Sequence, residues 1–266
     1  MCKLTEQLNE NILTSTIDFC RKLNLDTLGW CEWDNQSILA IAFPYYDFKS
    51  NNNGFSIYAQ RLDYHKVVRS YLDRIRYYLE TKGYTSEAYV DNNTLPERDI
   101  ATLAGIGFIG KNNLLITKKY GSFVFLGEIV LNKLTDFNLK NNHSENDNCK
   151  SCTKCIDSCP TNSLGEKNIN ICLSYLSQQK TLTPDDEALL KRYKNIFGCD
   201  ICQLCCPHNK NVVPSSLEEF KTIDMDKDPL VFANMTNKYF KDNIKPTSAG
   251  WRGKNVVKRN AIFSLS

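Results

Sequence analysis

Nine of the chain's twelve cysteines fall between Cys149 and Cys206. The first group reads Cys149-Lys-Ser-Cys152-Thr-Lys-Cys155-Ile-Asp-Ser-Cys159-Pro160. The last reads Cys199-Asp-Ile-Cys202-Gln-Leu-Cys205-Cys206-Pro207, and Cys172 lies between the two groups. A C-x2-C-x2-C-x3-C-P run places three thiolates around one 4Fe–4S cluster and sends the fourth to a second cluster. Thiolates suit the task because cluster iron is soft and each iron takes one terminal sulfur.

The run is the one bacterial ferredoxins use, and the closing group supplies its reciprocal, Cys-Pro included. Each of the two clusters needs four thiolates. The simplest assignment gives Cys149, Cys152, Cys155 and Cys206 to one cluster, and Cys159, Cys199 and Cys202 to the other. The last place falls to Cys172 or Cys205, and spacing alone leans to Cys205, which completes C-x2-C-x2-C. Structural zinc is the poorer reading, since zinc pairs come as two C-x2-C units without the Cys-Pro ending. Disulfides fit poorly with an odd set of cysteines and a start, Met1-Cys-Lys-Leu-Thr-Glu, that is not a secretory signal. These features predict a cytoplasmic protein, and no apolar run is long enough to predict a membrane partner. Cys2, Cys20 and Cys31 read as buried small hydrophobes.

With 266 residues and 42% hydrophobic content, the chain has room for one larger and one smaller domain. A net charge of +3 says little about partners. From Asn243 to the end, however, five basic residues meet no acidic one, a pattern of a phosphate-facing surface or of a solvated helix face.

Helical spacing predicts a helix over 4–25, and the apolar run Ser37–Phe43 before Pro44 predicts a buried strand. A long amphipathic helix is predicted over Ile57–Thr81, with Leu62, Val67, Tyr71, Leu72, Ile75 and Leu79 inward and Gly83 as its stop. An Asn-rich loop at 51–54 precedes it. Ala88–Val90 reads as a strand delivering Asp91 to a loop, and Pro96–Ala104 as the next helix. Strand-like runs then flank a Lys-Tyr-Gly turn over 105–130. The expected layout is an α/β or α+β domain over 1–131 that binds cofactor and substrate and a polar linker over 132–148. A ferredoxin-like double-cluster domain over 149–210 and a helical C-terminal tail over 211–266 complete it. Gly105-x-Gly107-x-x-Gly110 has dinucleotide-fingerprint spacing but follows a helix and precedes a strand, which is the wrong context. Those glycines either admit a large flat ligand or make a tight turn.

A ferredoxin needs no additional domain of about 130 residues before its clusters, so the electrons are expected to reach something that this domain holds. Several strings occur together: Asp63-Tyr64-His65-Lys66, Val90-Asp91 with Glu97-Arg98, Gly107-Phe-Ile-Gly110-Lys111-Asn112, and Gly121-Ser122 with Leu126-Gly127-Glu128. After the first cysteine group come Cys172-Leu-Ser174-Tyr175-Leu176 and Phe197-Gly198-Cys199-Asp200-Ile201-Cys202-Gln203. In this order they resemble the epoxyqueuosine reductases, cobalamin-dependent enzymes related in layout to the reductive dehalogenases. The resemblance covers about residues 35–210.

The resemblance implies two 4Fe–4S clusters and a cobalamin, and reduction of epoxyqueuosine to queuosine in the anticodon loop of a tRNA. It implies an electron donor such as flavodoxin or ferredoxin. Asp91 falls on the proton-donor position, with His65, Tyr64 and Arg98 as substrate- or acid-orienting groups. Desolvation beside a corrin would favour the neutral acid of Asp91. Lys111 and Asn112 would contact corrin side chains, and Ser56, Gly110 and Ser122 would line the pocket. The resemblance also gives the eighth cluster ligand to Cys172, against bare spacing, and makes Trp251-Arg-Gly-Lys the start of a truncated helical repeat. Two other readings stay open: a corrinoid iron–sulfur reductase of a small molecule, and a non-catalytic iron–sulfur electron carrier.

Overall fold

The computed structural model describes residues 2–50, 53–91, 94–131, 141 and 148–266, with the side chains of residues 2–11 excepted. Most of the expected linker over 132–148, the Asn51–Asn52 part of the Asn-rich loop and the Cys2 side chain lie outside the described residues. The chain forms two compact units. One combines Met1–Pro44 with His65–Lys150, the other Tyr45–Tyr64 with Ser151–Ser266.

The first unit is built on a four-stranded sheet in the order β1 (Leu28–Trp33), β2 (Gln36–Pro44), β6 (Val124–Leu131), β3 (Ser86–Tyr89). Every pairing in it is antiparallel, so the layer is α+β and not a wound parallel sheet. β1 is not among the expected strands. It pairs with β2 through Asp34 and Asn35, whose φ values of 49° and 57° give the left-handed two-residue hairpin turn. Helices α1 (Cys2–Lys22) and α2 (Tyr64–Thr81) precede β1 and β3. α2 buries Val67, Val68, Tyr71, Leu72, Ile75 and Leu79, the expected stripe apart from Leu62. Elsewhere in the unit, Ile100 and Ala101 of α3 (Glu97–Leu103) pack against Cys31, Ile38, Ala40, Ala42 and Val130. A small hairpin, β4 (Phe108–Ile109) with β5 (Leu115–Ile116), adds Leu115 to that cluster.

α2 begins at Tyr64, seven residues after the predicted start at Ile57. Tyr58–Gln60 make a single 3-10 turn, and Arg61 is extended at φ −114° and ψ 163°. The reason is the Arg61 side chain, which is fully buried in the second unit. Its Nε donates to the Tyr45 carbonyl at 2.9 Å, and one Nη donates to Asp47 at 2.7 Å and to the Lys49 carbonyl at 2.8 Å. Continuing the helix would forfeit those charge-assisted bonds and leave a buried cation unanswered.

The second unit is formed from short helices: α4 (Lys154–Asp157), α5 (Leu173–Leu176), α6 (Pro184–Tyr193), α7 (Ile201–Leu204), α8 (Pro229–Ala233), α9 (Asn237–Tyr239) and α10 (Lys254–Ser264). Its core draws Phe55 and Ala59, Ile196 and Phe197, and Phe232, Met235, Ile244, Val257 and Ala261 into one cluster. Residues from the expected tail therefore share a core with the cysteine-rich segment, and the expected boundary at 210 is not where this unit divides. Residues 45–64, expected within the first domain, also belong here. Gly54 and Ser56 exchange backbone bonds with Ile196 and Phe197, and Arg61 and Asp63 bond the 246–248 segment.

Candidate functional site

Three cysteines of the second unit have thiols raised by burial and by neighbouring cysteines. Burial, and then the nearby Asp200, Cys172 and Cys159, raise the Cys199 thiol to about 11, against a hydrogen bond from the Ile201 N–H. Cys202 is raised by burial and then by Cys199, Cys172, Cys155 and Cys205. Cys155 is raised by burial and by Cys205 and Cys206. Thus Cys159 and Cys172 both lie close enough to raise Cys199, Cys205 and Cys206 do the same for Cys155, and Cys202 feels Cys199 and Cys172 as well as Cys155 and Cys205. Cys205 also donates weakly to the Cys202 carbonyl at 3.6 Å. Among the described residues no three such side chains close on a single-ion point. Thiolates gathered this closely repel one another, and iron bound in place of their protons relieves that repulsion. The donor set fits sulfur-ligated iron clusters.

A buried polar network adjoins Cys199 and Cys202. Asp200 accepts from the Ile57 N–H at 2.6 Å and from Gln203 at 3.3 Å, and Gln203 in turn accepts from Tyr45. Burial pushes Asp200 up to about 6, although Ile57, Arg61 and Gln203 pull it down. Burial likewise works against the Asp47 carboxylate, but the Thr222 N–H and hydroxyl and Arg61 hold it below the usual carboxylate range. Nothing in the sequence singled out Arg61 or Asp47. Gly198 is left-handed at φ 75°, and a Cβ there would stand 2.0 Å from the Ser56 hydroxyl.

In the first unit the structure brings His65 and Asp91 together, 26 positions apart in sequence. His65 lies in the first turn of α2, Asp91 follows β3 at φ 45°, and His65 Nε2 lies 3.2 Å from Asp91 Oδ2. Asp91 is 49% exposed in its side chain, so the protein alone does not desolvate the carboxyl, whereas the resemblance predicts desolvation beside a corrin. Any such desolvation must come from what covers it. Arg98, exposed on α3, donates to the Asn113 carbonyl, joining α3 to the β4–β5 turn. Lys111 on that turn is exposed and donates to the Lys150 carbonyl, next to Cys149. Ser122 is buried at the turn before β6. Tyr64 belongs to the second unit, where its N–H donates to Ser248 Oγ at 3.4 Å.

For Gly107 and Gly110 the tight turn is the reading that holds. A Cβ on Gly107 would meet the Ile116 carbonyl oxygen at 2.6 Å, and one on Gly110 would meet Ile116 Cδ1 at 2.5 Å. Both make room for the chain's own hairpin. Two expected cofactor-lining residues carry buried polar atoms without a hydrogen bond, Ser56 Oγ in the second unit and Asn112 Nδ2 in the first. Each such orphan costs stability unless a ligand or water answers it, and in the first unit the Asn112 amide fits a polar cofactor such as a corrin with amide side chains. Glu128 is a notable residue that the motifs did not mark for a role. It is fully buried on β6 with neither carboxylate oxygen bonded, and burial followed by the nearby Glu97 pushes it up to about 9. A charged residue inside the apolar run Val124–Leu131 was the available signal.

Residues 33–92 match the family described as "Epoxyqueuosine reductase QueG, DUF1730", and residues 148–209 match the "4Fe-4S double cluster binding domain". The epoxyqueuosine reductase of Cyclobacterium marinum is 34% identical over 249 residues, covering 86% of this chain and 76% of that protein. The chain belongs to the epoxyqueuosine reductase family. The Lactococcus garvieae epoxyqueuosine reductase is 36% identical over 215 residues, covering 76% of this chain but 58% of its own length. The chain thus spans less than two thirds of that relative. Among solved structures, an epoxyqueuosine reductase with an epoxyqueuosine-modified tRNA-Tyr stem loop superposes at a TM-score of 0.83. That match has 27% identity and covers 97% of this chain and 81% of the other. The mixed α and β architecture is therefore that of epoxyqueuosine reductase structures, with a double-cluster 4Fe–4S binding domain. Among the described residues no helix is long and apolar enough to cross a membrane.

Proposed function

We propose that the chain reduces epoxyqueuosine to queuosine in tRNA, with two 4Fe–4S clusters, a cobalamin and Asp91 as proton donor. The observation that carries the reading is the His65–Asp91 pair, a titratable couple set on the segment that matches the reductase family model. Loss of the epoxide oxygen as water consumes two electrons and two protons. When bound, the clusters supply electrons singly and the cobalamin supplies a reduced metal able to deliver them to the substrate carbon.

The chain's own residues have narrower tasks. Asp91 carries the proton that passes to the departing oxygen, while its Oδ2 is engaged by His65. His65 Nε2 fixes the direction of that carboxyl, and exclusion of water by the bound ligands keeps it neutral. Arg98 holds the 110–113 turn, where Lys111 and Asn112 face the cofactor. Gly110 keeps that turn tight, and Ser122 completes the lining. Cys149, Cys152, Cys155 and Cys206 hold one cluster, and Cys159, Cys172, Cys199 and Cys202 the other. The closeness of both Cys159 and Cys172 to Cys199, where each raises the thiol, supports Cys172 as the eighth ligand. A small flavodoxin or ferredoxin supplies the electrons, and the anticodon nucleotide is splayed from its stack to react.

The test is anaerobic turnover of epoxyqueuosine-containing tRNA by reconstituted protein under a strong reductant, read as queuosine in digested nucleosides. Queuosine formation by the wild type and its loss in Asp91→Asn are expected. Cluster-loaded protein that binds cobalamin yet makes no queuosine would overturn the substrate assignment, and protein that takes up clusters but no cobalamin would leave an electron carrier.

A further inference from the structure

The C-terminal unit contains a cavity of about 480 Å³ at the start of α10. Its lining carries four basic side chains, Lys180, Arg252, Lys254 and Arg259, and no acidic one. The sequence around it has the same bias, with seven basic residues and only Asp242 acidic between Lys238 and Arg259.

The four cations do not play one part. Arg259 is spent on architecture: Nη1 and Nη2 donate to the Lys180 and Gln179 carbonyls at 2.9 and 2.8 Å. The neighbouring Asn260, fully buried, donates to the Ser177 carbonyl at 2.7 Å. Together they fasten the 177–180 turn to α10 and so set Lys180 in the cavity wall. Lys254 donates to Asn237. Arg252 sits over the exposed Trp251 ring, 3.7 Å from its centroid, and its buried Nε has no hydrogen-bond partner. Contact with the ring restrains the guanidinium while leaving donors available. The carboxylate that acts on Arg259 is Glu187, and it is already paired with Lys191 at 3.4 Å.

The helix end adds to the same field. Gly253 is the N-cap of α10 at φ 88° and ψ 165°, and no side chain caps the helix. The first N–H groups of an eleven-residue helix therefore open beside Lys254, Asn255 and Val256, which line the cavity. A hollow with no acidic side chain in its lining, walled by a planar guanidinium and a flexible ammonium, suits a phosphate.

We propose that this cavity binds a backbone phosphate of the RNA substrate, with Lys180 and Arg252 as contacts and Arg259 as the residue that positions Lys180. The identity of the polyanion as RNA rests on the reductase reading above. The experiment is a salt titration of binding between the cluster-loaded protein and a labelled anticodon stem-loop, comparing wild type with Lys180→Ala/Arg252→Ala. A Lys238→Ala/Lys241→Ala variant serves as the control, since it removes equal charge from exposed residues outside the cavity. The cavity variant is expected to bind ~10-fold more weakly at low salt, and its slope of log affinity on log salt to shrink by about 0.8, one phosphate's worth. The control should keep the wild-type slope. Equal losses in both variants, or no loss in the cavity variant while the wild type binds, would overturn the assignment. Wild-type binding lost only in the cavity variant, without queuosine formation by any form, would sink the reductase reading and leave the RNA cavity standing. Wild-type protein with no affinity for the stem-loop would overturn both.

Discussion

His65 Nε2 and Asp91 Oδ2 stand 3.2 Å apart, one at the start of a helix and the other just past a strand end, in the same compact unit. The contact gives Asp91 a fixed direction although its side chain is half exposed. In the proposed role of proton donor, Asp91 would work only when bound ligands dry its surroundings.

Asp91→Asn keeps the shape and loses the transferable proton. Single-turnover formation of queuosine is expected to fall by ~100-fold or more, the usual yield of a positioned general acid. His65→Ala should give a smaller loss, with iron content and thermal stability unchanged in both. An Asp91→Asn protein turning over at the wild-type rate would remove Asp91 from the chemistry.

Cys172 and Cys205 compete for one ligand position. Cys172→Ala is expected to lower iron in reconstituted protein from about eight per chain to about four, while Cys205→Ala retains about eight. Iron assay with electron paramagnetic resonance of the reduced protein reads both outcomes. The reverse pattern would restore the spacing-based choice.

Glu128 should couple stability to pH. Its folded value of about 9 lies above the ordinary 4.5, so between these values the folded chain holds a proton that the unfolded chain releases. The stabilisation is complete below the lower value and is lost as pH rises through the upper one. Glu128→Gln cannot ionise, so its melting temperature relative to wild type should rise by ~3 °C or more from pH 5 to pH 9. Asp200 is raised too, but it is common to both proteins and cancels. A difference that does not change with pH would show that Glu128 does not hold its proton.

Gly198 is both left-handed and pressed against Ser56. Gly198→Ala should cost about 2 kcal/mol or more, part from backbone strain and part from the clash. Chemical denaturation of the cluster-free protein measures it. Adding Ser56→Gly should recover only the steric part, and full recovery would show that the backbone angle carries no penalty.

The cluster chemistry was legible in the chain because thiolate spacing is itself the chemical requirement: Cys-Pro endings and two-residue gaps mean the same wherever they occur. The strand Ser37–Phe43 and the α2 stripe were legible for a similar reason, since burial of one face repeats at the period of the backbone. The hairpin strand β1 was not, because Trp33 and Glu32 leave its outer end exposed and blur the alternation. The start of α2 was hidden because Arg61, unremarkable in sequence, has its partners at Tyr45, Asp47 and Lys49 in an irregular segment.

The order of residues alone thus carried the double-cluster cysteine pattern and the family. Only the folded chain decided that Cys172 keeps company with Cys159 and Cys199, that residues 45–64 join the cysteine-rich unit, and that Lys180 and Arg252 line one cavity. Each of these depends on contacts between residues far apart in sequence, which no local period or spacing encodes.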